Sequence, residues 1–327
     1  MIPTQHTVNT PYMVGPVHCY SGEQGGDLVL FDTGPPTEEC RRFLQENIDL
    51  DRLKHVLITH CHIDHYGQVA WLNENSGATI YLPAKDCEKI RSHAKRMEEM
   101  YNLLSSLGFS EESLEELRRI FESGALFPPF PREYCAVETS LPDHLGIEIV
   151  SCPGHSQSDL VYVGEQWAVT GDTLLRGVFQ SPLLDVDLTT GRRFRNYEIY
   201  TETLKKLAAL RGKTILPGHR KRLVSIDETL VFYISKMLSR AKQFLPYRDE
   251  ENLLVTIDKM LGSRVNDVFH MYLKASEIVF MKDFLQQPDL LRASLEEIGL
   301  FDRLAPLFVT VTGHRAPDLS AISPDYV

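Results

Sequence analysis

Between residues 59 and 65 the chain reads Thr59-His60-Cys61-His62-Ile63-Asp64-His65, three imidazoles and one carboxylate in close succession. Such groups sit poorly in a core, because each would need a polar partner there. In an extended loop His60 and His62, two residues apart, point to the same side and can chelate one ion. Asp64 and His65 follow, and a turn would direct them at a second. Imidazole and carboxylate donors suit zinc, iron or manganese better than calcium or magnesium, and a set without cysteine is that of an open, catalytic site. Cys61 alternates to the opposite side of the loop and is expected to pack as a thiol.

Rigid elements must aim these groups. The β-branched run His55-Val56-Leu57-Ile58-Thr59 reads as a buried strand ending directly at His60, which places the histidines in the loop leaving a sheet. Upstream, Val14 to Tyr20 and Leu28 to Phe31 read as strands, and Asp32-Thr33-Gly34-Pro35-Pro36 closes the second with a turn. Thr37 can cap a helix running to about Asn47. From Ala84 to Gly124 the pattern is helical, with Ile90, Ala94, Met97, Tyr101, Leu104 and Leu107 on one face and a second helix after Gly108. Strand-like segments, Ala78 to Leu82 and Tyr134 to Thr139, bracket this pair, which reads as an insertion into a sheet domain. Gly146 to Cys152, Asp159 to Val163 and Trp167 to Thr170 are strand-like again. A helix around Asn196 to Leu210 precedes a strand at Lys213 to Leu216, and the alternation argues for α/β layering. Beyond about Ser225 come helical segments at Thr229–Phe244, Glu250–Leu261, Val265–Tyr272, Ser276–Leu285 and Asp289–Ile298, then a final strand at Leu307–Thr312.

The run from Thr59 to His65 resembles the THxHxDH signature of the metallo-β-lactamase-fold superfamily, which includes glyoxalase II. That family's pattern has three further ligands in order, a His, an Asp and a His, each at a strand end. The sequence supplies Pro153-Gly154-His155-Ser156, Thr170-Gly171-Asp172-Thr173 and Leu216-Pro217-Gly218-His219, each directly after a strand-like segment. The resemblance spans about residues 10 to 225. It implies an α/β four-layer αββα sandwich in which His60, His62 and His155 bind one metal, Asp64, His65 and His219 bind a second, and Asp172 bridges them. Asp32 matches a further family position, near the site with a supporting or turn-capping role. The implied organisation is a catalytic domain over 1–225 with a helical insertion at about 84–131. A mostly helical C-terminal region over 226–313, with a weak winged-helix likeness, and a flexible tail over 314–327 complete it.

Two divalent ions, zinc first and iron or manganese as alternatives, would lower the pKa of a bridging water and supply hydroxide near neutral pH. They would also polarise the substrate oxygen and stabilise its developing charge. Asp64 is the expected catalytic residue, orienting the hydroxide and managing a proton. The expected function is hydrolysis of a small ester-like bond, a thioester or otherwise a lactone. The competing readings are a phosphodiesterase or nuclease of the same superfamily, and a regulatory protein acting through its C-terminal helices. His62 stands where di-iron oxidoreductase members carry an acidic residue, and the set Asp64, His65 and His219 completes a half-site that one-iron persulfide dioxygenases lack in part. Both routes are disfavoured.

Composition sets the outer limits. The chain has 327 residues, 43% hydrophobic, with a formal net charge of −11. It is a folding, globular composition, and the acidic balance argues against gripping phosphate backbones. No apolar run reaches the ~20 residues of a membrane span, the N-terminus lacks a basic, apolar leader, and the six cysteines form no CxxC pair. The expectation is a cytoplasmic protein with a small-molecule substrate, no nucleic-acid or membrane partner, and room for a homodimer through the C-terminal helices. Arg176, Arg192, Arg193, Arg195 and Arg220-Lys221-Arg222 read either as contacts for an anionic substrate tail or as a solvated basic face. Phe127-Pro128-Pro129-Phe130-Pro131 reads as a stiff connector or an aromatic rim.

Overall fold

The computed structural model describes residues 1–123, 129–262, 265 and 267–313. Its first sheet runs in spatial order β1 (Thr4–Val8), β2 (Val17–Gln24), β3 (Asp27–Phe31), β4 (Leu53–Leu57), β5 (Thr79–Leu82) and β6 (Cys135–Ala136). The first three are antiparallel and β3 to β6 parallel. The parallel steps cross over through α1 (Glu38–Asn47), through α2 (Ile63–Tyr66) with α3 (Val69–Asn75), and through the helical insertion. That insertion consists of α4 (Ala84–Arg91), α5 (His93–Ser106) and α6 (Glu111–Glu122), and a short α7 (Val137–Ser140) follows β6. The second sheet is ordered β12 (Thr214–Pro217), β9 (Trp167–Gly171), β8 (Leu160–Val163), β7 (Glu148–Ser151). A small β10 (Val186–Asp187) and β11 (Arg192–Arg193) hairpin and α8 (Asn196–Ala208) lie between β9 and β12.

Period-two alternation separates the layers. Val29, Phe31, Leu57, Tyr162, Val169 and Leu216 point between the two sheets. Their neighbours Leu30 and Val56 face α1 and α3, where they meet Cys40, Leu44 and Leu72. On the far side Val161, Val163, Ala168 and Ile215 pack under Tyr200, Leu204 and Leu207 of α8. The result is the four-layer αββα sandwich expected, with β8 buried along its whole length because both its faces are covered.

The C-terminal helices are α9 (Ile226–Phe244), α10 (Leu253–Leu261), α11 (Val268–Gln286), α12 (Pro288–Glu297) and α13 (Phe301–Thr312). They share one apolar core with α8 and the second sheet. Among the described residues no helix is long and apolar enough to cross a membrane.

Several local expectations are corrected. Leu307–Thr312 is not a strand but the end of α13: Phe301, Leu304, Phe308 and Val311 recur at three- and four-residue steps and are all buried, so packing overrides the β-branched tail. The segments at Val265–Tyr272 and Ser276–Leu285 are joined in α11, capped by the Asp267 side chain. The helix expected unbroken from Ala84 divides at Ser92. Of Tyr134–Thr139 only Cys135–Ala136 is strand. The strand at Val14–Tyr20 begins at Val17, and β1, too polar to read as a strand, pairs with it as the sheet edge. Thr37 caps α1 as expected, accepting the Cys40 amide. The tail from 314 and part of the Phe127–Pro131 segment lie outside the described residues.

Candidate metal centre

All seven candidate residues leave strand ends on one rim of the sandwich. His60 and His62 follow β4, with Asp64 and His65 in the single turn of α2. His155 sits in the turn from β7 to β8, Asp172 directly after β9, and His219 just past β12. The rim is closed by a bridge pairing Val17 of the first sheet with His219 of the second.

The side chains converge. His62 Nδ1 lies 3.0 Å from both His60 Nε2 and His155 Nε2. His219 Nε2 is 3.2 Å from Asp64 Oδ2. Asp172 stands between, its Oδ1 3.4 Å from His65 Nε2 and 3.6 Å from His219 Nε2, its Oδ2 3.9 Å from His155 Nε2. Donor atoms fall into three overlapping groups, His60–His62–His155, His60–His65–Asp172 and Asp64–His65–His219, each within 4.8 Å.

The outward hydrogen bonds fix which ring nitrogens face inward. His155 Nδ1 donates to the Ser181 carbonyl and His219 Nδ1 to the Pro16 carbonyl, acceptors with no proton to give. His65 Nδ1 donates to Asp32 Oδ2. Thr59 Oγ1 gives its proton to Asp32, so it accepts from His60 Nδ1. Four Nε2 atoms are therefore turned into the centre, each ring held by a partner behind it. His62 Nδ1, 3.0 Å from two of them, can give a proton to only one at a time, and tetrahedral coordination with bonds of about 2.0–2.1 Å sets donors roughly 3.3 Å apart, near these separations. Buried His65 Nε2, His219 Nε2 and Asp172 Oδ1 make no hydrogen bond, which a coordinating ion would remedy. The residues fit a metal centre.

Electrostatics divides the centre. Burial, with the neighbouring imidazoles, pushes His60 well below its ordinary value and His62 down to about 3, so both are neutral donors. Burial acts on His65 in the same sense, but Asp172, Asp32 and Asp64 outweigh it and raise His65 well above the usual range. His219 is raised as well, since the charges of Asp172 and of the nearby Asp64 carboxylate overcome its burial. Burial would raise Asp64 and Asp172, yet the surrounding histidines hold both below the ordinary carboxylate value. One half is neutral imidazole; in the other the carboxylates draw positive charge to them, carried by His65 and His219 or by a bound cation in place of those protons.

Asp32 occupies the supporting place expected for it. It adopts a left-handed φ of 57°, a conformation asparagine and aspartate tolerate. From there Oδ1 accepts the Thr59 amide at 2.8 Å while Oδ2 accepts from His65.

Other participants had no signature in the sequence. Gly218 lets β12 pass so close that a Cβ there would stand 2.6 Å from His65 Cε1 and 2.7 Å from Asp172 Oδ1. Tyr12 approaches Asp64, and its phenol is raised by burial and then by that carboxylate. The insertion also reaches the centre: Asp86 Oδ2 accepts the Cys61 amide at 2.8 Å, between two of the histidines. Lys89 joins Asp86 to Asp185 at 3.3 Å to each, and Arg96 grips Asp185 through two bonds of 2.9 and 3.0 Å. Asp86→Ala is expected to cost about 10–100-fold in turnover, the usual effect of removing a group that orients metal ligands. Steady-state kinetics with metal analysis checks this, and an unchanged rate would show that the Cys61 loop holds its shape unaided.

Asp185 makes this network sensitive to acid. Burial opposes its charge, but Arg96 and Lys89 prevail and hold it at about 2. Its unfolded value is near 3.9, so the folded form binds fewer protons between the two. Its stabilising effect, roughly 2 kcal/mol, is complete above pH ~4 and lost as pH falls toward 2. Thermal unfolding of Asp185→Asn beside the wild type should show a flatter acid limb.

The network lines a cavity of about 80 Å³ beside His62, walled by Cys61, Ser156, Phe130 and Tyr272. Cys61 is partly buried: it packs against the core beneath α1 and α3, as expected of it, and also lines this cavity. Phe130 therefore does supply an aromatic wall. Of the arginines read either as contacts for an anionic substrate tail or as a solvated basic face, Arg193 is bound bidentately to Asp283 and Arg195 donates twice to Glu198 Oε1.

Comparison with known proteins identifies the family. Residues 12–219 match the model of the metallo-beta-lactamase superfamily. The chain is 26% identical over 266 residues, 75% of its length and 79% of the relative's, to the "Probable metallo-hydrolase YqjP" of Bacillus subtilis. It is 30% identical over 142 residues to a ribonuclease J of Corynebacterium glutamicum, covering 41% of this chain but 16% of that one. A metallo-beta-lactamase family protein from Thermus thermophilus superposes with a TM-score of 0.68 at 19% identity, covering 88% of this chain and 94% of that one. A beta-lactamase domain protein from Burkholderia ambifaria gives 0.70 at 18% identity, covering 87% and 86%. Those two structures share the fold, and with the family match over most of the sandwich the chain belongs to the metallo-beta-lactamase superfamily.

Proposed function

We propose that this metal-dependent hydrolase cleaves a small ester-like bond, a thioester first and a lactone second. One ion would be held by His60, His62 and His155 and another by Asp64, His65 and His219, with Asp172 shared. Zinc is the ion proposed, with iron or manganese as alternatives that the same donors accept. The observation carrying the reading is the convergence of seven imidazole and carboxylate groups, among which three buried polar atoms make no hydrogen bond. When bound, such ions acidify water toward neutral pH and polarise a carbonyl oxygen.

The chain's own groups supply the rest. Asp64 Oδ2, kept ionised by His65 and His219, can accept a proton and hold an attacking water in line. Asp32, Pro16 O and Ser181 O keep the imidazoles oriented before substrate arrives. The small cavity beside His62 is neutral in balance, because Lys89 and Arg96 are each matched by Asp86 or Asp185. That suits a small uncharged group in the cavity, while the charge of a phosphodiester would have to be met by the ions themselves.

The ribonuclease J relative keeps a phosphodiesterase reading in play. Comparing a chromogenic thioester and a lactone with bis-p-nitrophenyl phosphate decides between them. Faster thioester or lactone turnover supports the proposal, and faster phosphodiester turnover reverses it.

A further inference from the structure

At the opposite end of the first sheet, three donors meet from separate parts of the chain. Asp27 begins β3, His55 lies within β4, and His144 belongs to a 3₁₀ turn at Asp143–Leu145 that leads into β7. Asp27 Oδ2 is 2.9 Å from His144 Nε2 and 3.2 Å from His55 Nε2, and all three donor atoms lie within 4.8 Å of one another. Asp27 and Asp32 are five strand positions apart at about 3.3 Å each, which puts this cluster some 15 Å or more from the catalytic rim.

We propose that Asp27, His55 and His144 form a separate structural site for one divalent cation of the zinc class. Two imidazoles and a carboxylate are the donors zinc accepts, and the two measured separations approach the roughly 3.3 Å of a tetrahedral edge. The cluster is built rather than casual. The His55 ring is buried in the sheet with the Tyr81 ring 5.7 Å away, tilted against it. The turn carrying His144 is fixed by its backbone: a Cβ at Gly25, in the β2–β3 turn, would fall 2.1 Å from the His144 carbonyl oxygen. Only the His144 ring is half exposed, which leaves a fourth coordination position to water. A cation there would pin the lead into the second sheet onto the first, closing a loop of over a hundred residues and stabilising the pair against separation.

A proton shared between the histidines and Asp27 would give the same contacts without a metal, so the test must count ions. Wild type, His144→Ala and Asp27→Asn are each loaded with zinc, passed through gel filtration and analysed for zinc per chain. The expected result is one fewer tightly held zinc in each variant, with turnover within about twofold of wild type and a zinc-dependent rise in melting temperature several degrees smaller. Unchanged zinc per chain, or an extra equivalent that gel filtration removes from the wild type, would overturn the proposal. The readout is a difference between proteins, so it stands apart from how many ions the catalytic cluster retains.

Discussion

Asp172→Ala is expected to lower turnover by about three orders of magnitude, the scale of deleting a group that acts at the developing charge. Among the described residues Asp172 is the only carboxylate whose two oxygens face both halves of the centre, toward His65 and His219 on one side and His155 on the other. Without it each half keeps three donors, but the relation between them is lost. Tightly bound metal should fall in parallel, while far-ultraviolet circular dichroism stays that of the wild type, because the elements meeting at the rim are anchored by their own cores. Asp172→Asn should behave almost as badly, since it preserves volume and removes charge. Activity within tenfold of wild type in either variant would remove Asp172 from the centre.

The second large effect comes from a residue with no side chain. Gly218→Ala places a methyl group 2.6 Å from His65 and 2.7 Å from Asp172, and the remaining nearest atom, at 3.1 Å, is the Gly171 backbone. None of these can retreat cheaply: His65 is tied to Asp32, and the Gly218 amide is bonded to the Gly171 carbonyl. Overpacking of this kind costs roughly 1–3 kcal/mol. The displaced donors should cost about 100-fold or more in turnover, because ångström-scale misplacement has that effect. Kinetics and thermal unfolding together test it. A variant as active and as stable as wild type would mean that the rim is far softer than its hydrogen bonds imply.

The centre was legible in the sequence for a definite reason. His60 to His65 lie side by side along the chain, and each remaining donor follows a short strand whose β-branched residues announce it. The four layers followed from strands alternating with helices. Other features were illegible because they depend on contacts between distant residues. Asp86 acts through the Cys61 amide 25 positions earlier, and Gly218 matters only because His65 and Asp172 are folded against it. Nothing local distinguishes either from a surface carboxylate or a turn glycine. The end of α13 was misread for the opposite reason, since Val309-Thr310-Val311-Thr312 favours strand locally and is helical because Phe308 and Val311 pack into the core. The cationic stretch from Arg192 to Arg195 was open to an anion contact or a solvated face, and α11 and α8 take up Arg193 and Arg195 through Asp283 and Glu198.

The central claim is that turnover requires metal held by these seven residues. It is tested most directly by restoring zinc stepwise to metal-stripped protein, in the His144→Ala background so that the Asp27 cluster does not compete. Thioester hydrolysis should be absent from the stripped protein and should rise to a plateau at about two equivalents per chain, as a shared two-ion centre requires. Full hydrolysis by the stripped protein, or a plateau reached with no tightly bound zinc, would contradict it.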